Sequence, residues 1–197
     1  MTLFVYAPVA GFLLGFLDFV WIKFVPFPLG DLGNSPAVWA VAAFLFVLLG
    51  RRWRAVPAVA GACVMLVVAS PSYYLAAALI QHDDYAVMGN STTIMWMGFG
   101  VVAGLVFGGA GALARTRNVA LAVPVAVLVT EAIRLTLRIG DPDYGIEPLW
   151  TALLEVGIAV GLVVWLARSW RERARVVLAT VPLAAAGFVL FSAAGFA

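Results

Sequence analysis

Apolar residues fall along the chain in long runs, cut at intervals by short polar or turn-forming stretches. A helix needs about 20 mainly apolar residues to cross a bilayer, and seven runs come near that length. They cover residues 3–24, 36–50, 55–80, 92–114, 119–139, 147–167 and 176–197. The pattern predicts an all-α, polytopic transmembrane helical bundle of about seven spans. Pro26-Phe27-Pro28 ends the first run, and Pro36 opens the second at a position proline favours. That second run is short for a crossing helix, at about 15 residues. Pro71 predicts a kink in the third. The first run has no basic leader and carries Asp18 and Trp21 in its tail, so it reads as a span and not as a signal peptide. No linker or change of composition interrupts residues 1–197, which predicts a single domain.

Composition sharpens this picture. Of 197 residues, 64% are hydrophobic and 11% charged, and the mean hydropathy is +1.06. Soluble domains average roughly 45–50% apolar and about 25% charged. A domain this small needs polar residues to cover its surface, so a soluble enzyme is excluded. The 19 glycines and 10 prolines lie mostly inside apolar runs and do not mark disorder. The net charge of +2 hides a pI near 9.0 that comes from clustered arginines. Those clusters are Arg51, Arg52 and Arg54, then Arg115 and Arg117, then Arg168, Arg171, Arg173 and Arg175. Asp31, then Asp83 and Asp84, then Asp141 and Asp143 hold the alternate connections. Cytoplasmic loops collect arginine and lysine, so the alternation predicts a cytoplasmic N-terminus in a multi-pass protein of the cell membrane. A nucleic-acid surface would need a basic face on a folded domain, and none is expected. Cys63, alone in an apolar run, excludes an intrachain disulfide.

Ionisable groups at membrane depth are expensive and suggest function. Asp18, Glu131 and Glu155 fall inside the predicted spans. At ~1.5 Å per residue, Asp18 lies about 12 Å below the Pro26 end, Glu131 ~10 Å below Arg138 and Glu155 ~12 Å below Glu147. All three share one layer in the outer half of the membrane, where the bundle axis alone keeps them from lipid. Glu131 shares a helix face with Arg134 and Arg138, which leaves open a self-neutralising Glu131–Arg134 ion pair. Asp18 and Glu155 have no opposite charge on their own helices, so they are the better candidates for a reactive acid or for hydrogen bonds between helices. A carboxyl in an apolar pocket can keep its proton at neutral pH and serve as a general acid.

Aromatics crowd the same layer. Tyr73 and Tyr74 lie about two helical turns inside the end of the third span. Trp39, Trp96 and Trp150 stand near the outer starts of theirs, and Phe12, Phe16 and Phe19 line the first. An interfacial belt accounts for Trp21 and Trp150 most easily. Aromatic faces stabilise cations, so the remainder suit carbocation chemistry or a bound flat heterocycle. Asn34-Ser35-Pro36 and Asn90-Ser91-Thr92 read as helix caps. Gly11 with Gly15, and Gly100 with Gly104, read as close helix packing. His82 beside Asp83 and Asp84 makes a poor ligand set. With no phosphate-binding glycine loop and no Asp-rich diphosphate motif, neither a metal nor a cofactor is expected.

Several stretches resemble, in order, a known family. They are Leu32-Gly33-Asn34-Ser35-Pro36-Ala37-Val38-Trp39 with Ala43-Phe44-Leu45, then Ser72-Tyr73-Tyr74-Leu75, Thr130-Glu131-Ala132 and Trp150-Thr151-Ala152-Leu153-Leu154-Glu155. The family comprises small actinobacterial integral membrane proteins that include the membrane-bound terpene cyclases of drimentine-type indole alkaloid pathways. The resemblance spans residues 29 to about 173. It implies an isomerase- or lyase-type enzyme of terpenoid biosynthesis, which protonates and cyclises a farnesyl group carried on a tryptophan-containing cyclodipeptide. It assigns no residues. From the depth argument, Asp18 or Glu155 is the expected proton donor, with the other acid or Glu131 taking up the final proton. Trp39, Tyr73, Tyr74, Trp96, Phe16, Arg134 and Arg138 are the expected substrate-binding residues. The alternative is the substrate-binding membrane component of a vitamin-type uptake transporter. An outward acid layer suits that reading, whereas an odd number of spans weighs against it. The expected partners are an apolar small molecule and membrane lipid, with self-association left open and no nucleic acid.

Overall fold

A computed structural model of the chain describes residues 2–193. Among these residues there are seven α-helices and no strand. They are α1 (Leu3–Phe24), α2 (Pro36–Leu49), α3 (Ala55–Gln81), α4 (Ser91–Ala114), α5 (Ala122–Thr136), α6 (Glu147–Leu166) and α7 (Trp170–Ala193). Short 3-10 turns at Gly30–Asn34, Tyr85–Gly89 and Asn118–Leu121 precede α2, α4 and α5. Six helices are long and apolar enough to cross a membrane, the turn before α5 being counted with it. The exception is α2, whose 14 residues extend only about 21 Å, against a hydrocarbon core of about 30 Å. The protein is a multi-pass membrane protein with an all-helical fold.

The helix starts follow from their caps. Asn90 accepts the Thr93 N–H at 2.9 Å, and Ser35 accepts the Val38 N–H at 3.4 Å. In two helices the expected boundaries differ by more than one residue. The seventh helix begins at Trp170 and not near residue 176, because Ser169 and Glu172 form a capping box. Ser169 Oγ accepts the Glu172 N–H at 3.2 Å, and Glu172 Oε2 accepts the Arg168 N–H at 2.8 Å. Arg171, Arg173 and Arg175 therefore lie on the first turns of a helix, not in a loop. The fifth helix ends at Thr136 and not at residue 139; a turn through Asp141 and Gly145 follows. The expected end of the seventh span, residues 194–197, lies outside the described residues.

In the packing, α1 lies on α3, α3 on α4, and α2 on both α3 and α4. The second group packs α5 on α6 and α7, and α2 joins the groups through α5. Small residues let backbones approach in the first group. A Cβ on Gly15 would collide with the Ala69 carbonyl oxygen, and one on Gly104 would lie 2.6 Å from Cα of Cys63. Large hydrophobics such as Leu178, Val181 and Trp165 face outward, as a lipid-facing surface requires.

The basic connections gather at one end. Arg115, just past α4, donates to the carbonyls of Val47 at 2.6 Å, Trp53 at 2.7 Å and Gly50 at 3.1 Å. It thereby satisfies the Val47 carbonyl in the last turn of α2, which has no partner in the helix, and ties that turn to the connection that follows. Asp31 lies at the opposite end, accepting the Thr151 hydroxyl at 3.2 Å. Lys23, a cation at this acidic end, donates to Gln81 at 2.9 Å.

Candidate functional site

The short α2 starts inside the bundle, where its first N–H groups have no helical partner. In a membrane such groups must be satisfied by protein. Ser35 is the cap and Pro36 occupies the first turn. The neighbouring helices supply carboxyls. Glu131 of α5 accepts the Ala37 N–H on Oε2 at 3.0 Å, and Ser35 Oγ lies 3.0 Å from that same oxygen. Glu155 of α6 brings Oε1 to 2.7 Å from Ser35 Oγ. One turn further along α2, the Trp39 indole N–H donates to Asp18 Oδ2 of α1 at 3.1 Å. The three acids thus meet the first turns of one helix, at one level of the bundle.

They do not share one chamber. Asp18, half-buried, lines a cavity of about 280 Å³ between α1, α2, α3 and α4. Trp39, Tyr73, Tyr74, Trp96 and Phe99 form most of its wall, and Asn34, Ser35 and Pro36 close one side. Edge-to-face contacts fix these rings: Tyr73 meets Phe19 at 5.3 Å and Tyr74 at 5.3 Å, and Trp96 meets Phe99 at 5.7 Å. Among the described residues, the indole is the only hydrogen-bond partner of the Asp18 carboxyl. Glu131 and Glu155 lie behind Ser35, away from the cavity wall. Glu155 is fully buried and, among the described residues, its Oε2 has no hydrogen-bond partner.

Arg134 stands near enough to act on both glutamates through its charge. The Glu131 hydrogen bonds nevertheless go to Ser35 and Ala37. The Arg134 guanidinium lies over the Phe191 ring at 4.9 Å, and among the described residues its Nε has no hydrogen-bond partner. Arg138 stacks over Tyr144 at 5.5 Å. Phe16 stacks on Phe12 at 5.5 Å and packs beside Phe19, Ala76 and Ala77. None of Arg134, Arg138 or Phe16 lines the cavity.

The expected aromatics Trp39, Tyr73, Tyr74 and Trp96 therefore come together around Asp18, whereas Glu131, Glu155 and Arg134 form a second polar group. Phe99 escaped the sequence reading, although its spacing of three from Trp96 puts both on one helix face. Ser35 was legible only as a cap. Among the described residues, no three His, Cys, Asp or Glu side chains group as a metal site.

This arrangement provides an acid inside an aromatic enclosure, backed by a buried pair of carboxyls. No curated protein and no solved structure matches the chain. Residues 1–195 match the family described as "Family of unknown function (DUF6518)", and the chain belongs to that family.

Proposed function

We propose that the chain is an integral membrane cyclase of prenyl chains, in which Asp18 protonates a terminal alkene. One observation supports this reading above all: Asp18 is the one carboxyl lining a cavity walled mainly by five aromatic rings, with Leu66 beside them. The Asp18 O–H bond breaks and a new C–H bond forms at the alkene terminus, leaving a carbocation. Successive alkenes attack it to close the rings. Loss of a proton from the last cation to the carboxylate that Asp18 has become, the one carboxylate lining the cavity, ends the reaction, so the product is an isomer of the substrate. Trp39, Tyr73, Tyr74 and Trp96 present π-faces that attract the intermediate cations. A volume near 280 Å³ is at the small end of ligand sites, which run from roughly 300 Å³ upward. It suits the prenyl chain, with a head group such as a tryptophan-containing cyclodipeptide left at the mouth. The arginine distribution supports a location in the cell membrane with the N-terminus in the cytoplasm.

Mass spectrometry on membranes expressing the chain tests this, with a farnesylated tryptophan-containing cyclodipeptide as substrate and heavy water as solvent. The expected product elutes as a new peak and carries one deuterium. No new peak from folded protein overturns the reading.

The level of the cavity favours a second reading. Its acid and aromatics lie toward the acidic connections, which suits capture of a small molecule from outside, as in a vitamin-type uptake component. A flat or cationic molecule extracted from the purified protein, with no cyclisation, would support it.

A further inference from the structure

The hydrogens around Ser35 can be counted. A serine hydroxyl carries one hydrogen, and an ionised carboxylate only accepts. Ser35 Oγ nonetheless lies 2.7 Å from Glu155 Oε1 and 3.0 Å from Glu131 Oε2, both distances of an O–H···O hydrogen bond. If both glutamates were ionised, one of these contacts would set two oxygens together with no hydrogen between them. That would occur at a buried position, where unsatisfied charge is most costly. A single proton on one carboxyl removes the conflict.

The surroundings indicate where that proton rests. Glu131 Oε2 also receives the Ala37 N–H at 3.0 Å, which suits the ionised partner. Glu155 is fully buried and, among the described residues, its Oε2 has no partner, which suits the neutral one. The Glu155 O–H then donates to Ser35, and Ser35 donates to Glu131. The positive charge of Arg134, one turn along α5, offsets the remaining carboxylate. The other charged groups nearby are engaged elsewhere: Arg138 lies over Tyr144, and Asp31 accepts from Thr151. From α7, the ring of Phe191 covers Arg134. A short shift of two hydrogens along the line Glu155, Ser35, Glu131 exchanges the roles of the two acids with no net change in protons.

We propose that Glu131, Ser35 and Glu155 form a proton-binding site that holds one exchangeable proton between two carboxyls. The site is independent of cyclisation, since it follows from the geometry of these groups alone. Ser35 also lines the Asp18 cavity, so the stored proton is one hydroxyl away from it.

Infrared spectroscopy tests the proposal on the full chain in lipid at neutral pH, comparing ordinary protein with protein grown on glutamate labelled with carbon-13 at the side-chain carboxyl. Protonated and ionised carboxyls absorb in separate regions. The chain has four glutamates; Glu147 is exposed, and Glu172 is an acceptor of backbone N–H groups. The expected spectrum shows a label-sensitive protonated band equal to one glutamate. A missing band, or one equal to two glutamates, overturns the proposal without recourse to any variant. Glu131→Gln and Glu155→Gln should each abolish the band, because the remaining carboxyl can ionise and accept the Ser35 hydrogen. A band that survives Glu131→Gln unchanged would mean that Glu155 holds its proton alone, and would overturn the sharing.

Discussion

Ser35 Oγ lies 2.7 Å from Glu155 Oε1, so a residue at the start of the shortest helix is tied to the buried interior of α6. The same hydroxyl caps α2 and meets Glu131 of α5. A change there touches the helix start and both carboxyls together. Losing a cap costs about 0.5–2 kcal/mol, and a buried polar group left without its partner costs about 1–3 kcal/mol. Ser35→Ala should therefore destabilise the protein by about 2–3 kcal/mol, read as a lower midpoint of thermal or detergent denaturation. Ser35→Thr keeps a hydroxyl and should lose less. Equal losses in both variants would show that volume matters at this position and the hydroxyl does not.

The residues of this junction also show what a sequence carries. Six crossing helices are legible because each needs a long apolar run, and the shared level of Asp18, Glu131 and Glu155 follows from counting along such runs. Counting gives depth, but it does not give rotation between helices. Asp18 therefore turns into an aromatic cavity while Glu131 and Glu155 turn behind Ser35. The same limit separates Phe16, packed against Phe19, from Phe99, which lines the cavity. The early start of α7 is a different case, since its signal was present. Ser169 and Glu172 stand three apart, as a capping box requires, but the arginines around them suggested a loop.

Glycine has opposite roles on two helices. A Cβ on Gly104 would lie 2.6–2.8 Å from atoms of Cys63, whereas one on Gly157 would meet nothing within 4 Å. Gly104→Ala should cost about 1–3 kcal/mol by forcing α4 off α3. Gly157→Ala should add about 0.5–1 kcal/mol by restricting the backbone of the unfolded chain. Denaturation midpoints that move the same way in both variants would contradict the close approach of α3 and α4.

Arg115 holds the basic end together through the Val47, Gly50 and Trp53 carbonyls. Its fork of donors reaches all three, which the single ammonium of lysine cannot reproduce. Hydrogen bonds from a charged group contribute about 1.5–3 kcal/mol, so Arg115→Gln should destabilise by about 2–3 kcal/mol and Arg115→Lys should recover only part. Full recovery in Arg115→Lys would mean that charge at this end matters and the fork does not.

The alternation of loop charge makes a topological prediction. In a Cys63→Ala background, the Asp83→Cys protein should react in intact cells with a maleimide that cannot cross membranes. The Arg117→Cys protein should react only after the cells are broken. The reverse pattern would invert the orientation and bring the Asp18 cavity toward the cytoplasm.

The pairing of Asp18 with Trp39 separates positioning from packing in the proposed reaction. Asp18→Asn removes the transferable proton and should abolish deuterium incorporation while the protein remains folded. Full activity in this variant would remove Asp18 from the role of donor. Trp39→Phe keeps an aromatic face toward the cavity but deletes the N–H that holds Asp18 Oδ2 at 3.1 Å. A neutral hydrogen bond contributes about 1 kcal/mol, and each 1.36 kcal/mol of barrier is a factor of about ten in rate. Trp39→Phe should therefore lower kcat by roughly five- to tenfold and leave KM nearly unchanged, because the apolar wall that meets the substrate is preserved. A change confined to KM would reassign Trp39 to substrate binding. It would also mean that the Asp18 carboxyl finds its reactive position without help from the indole.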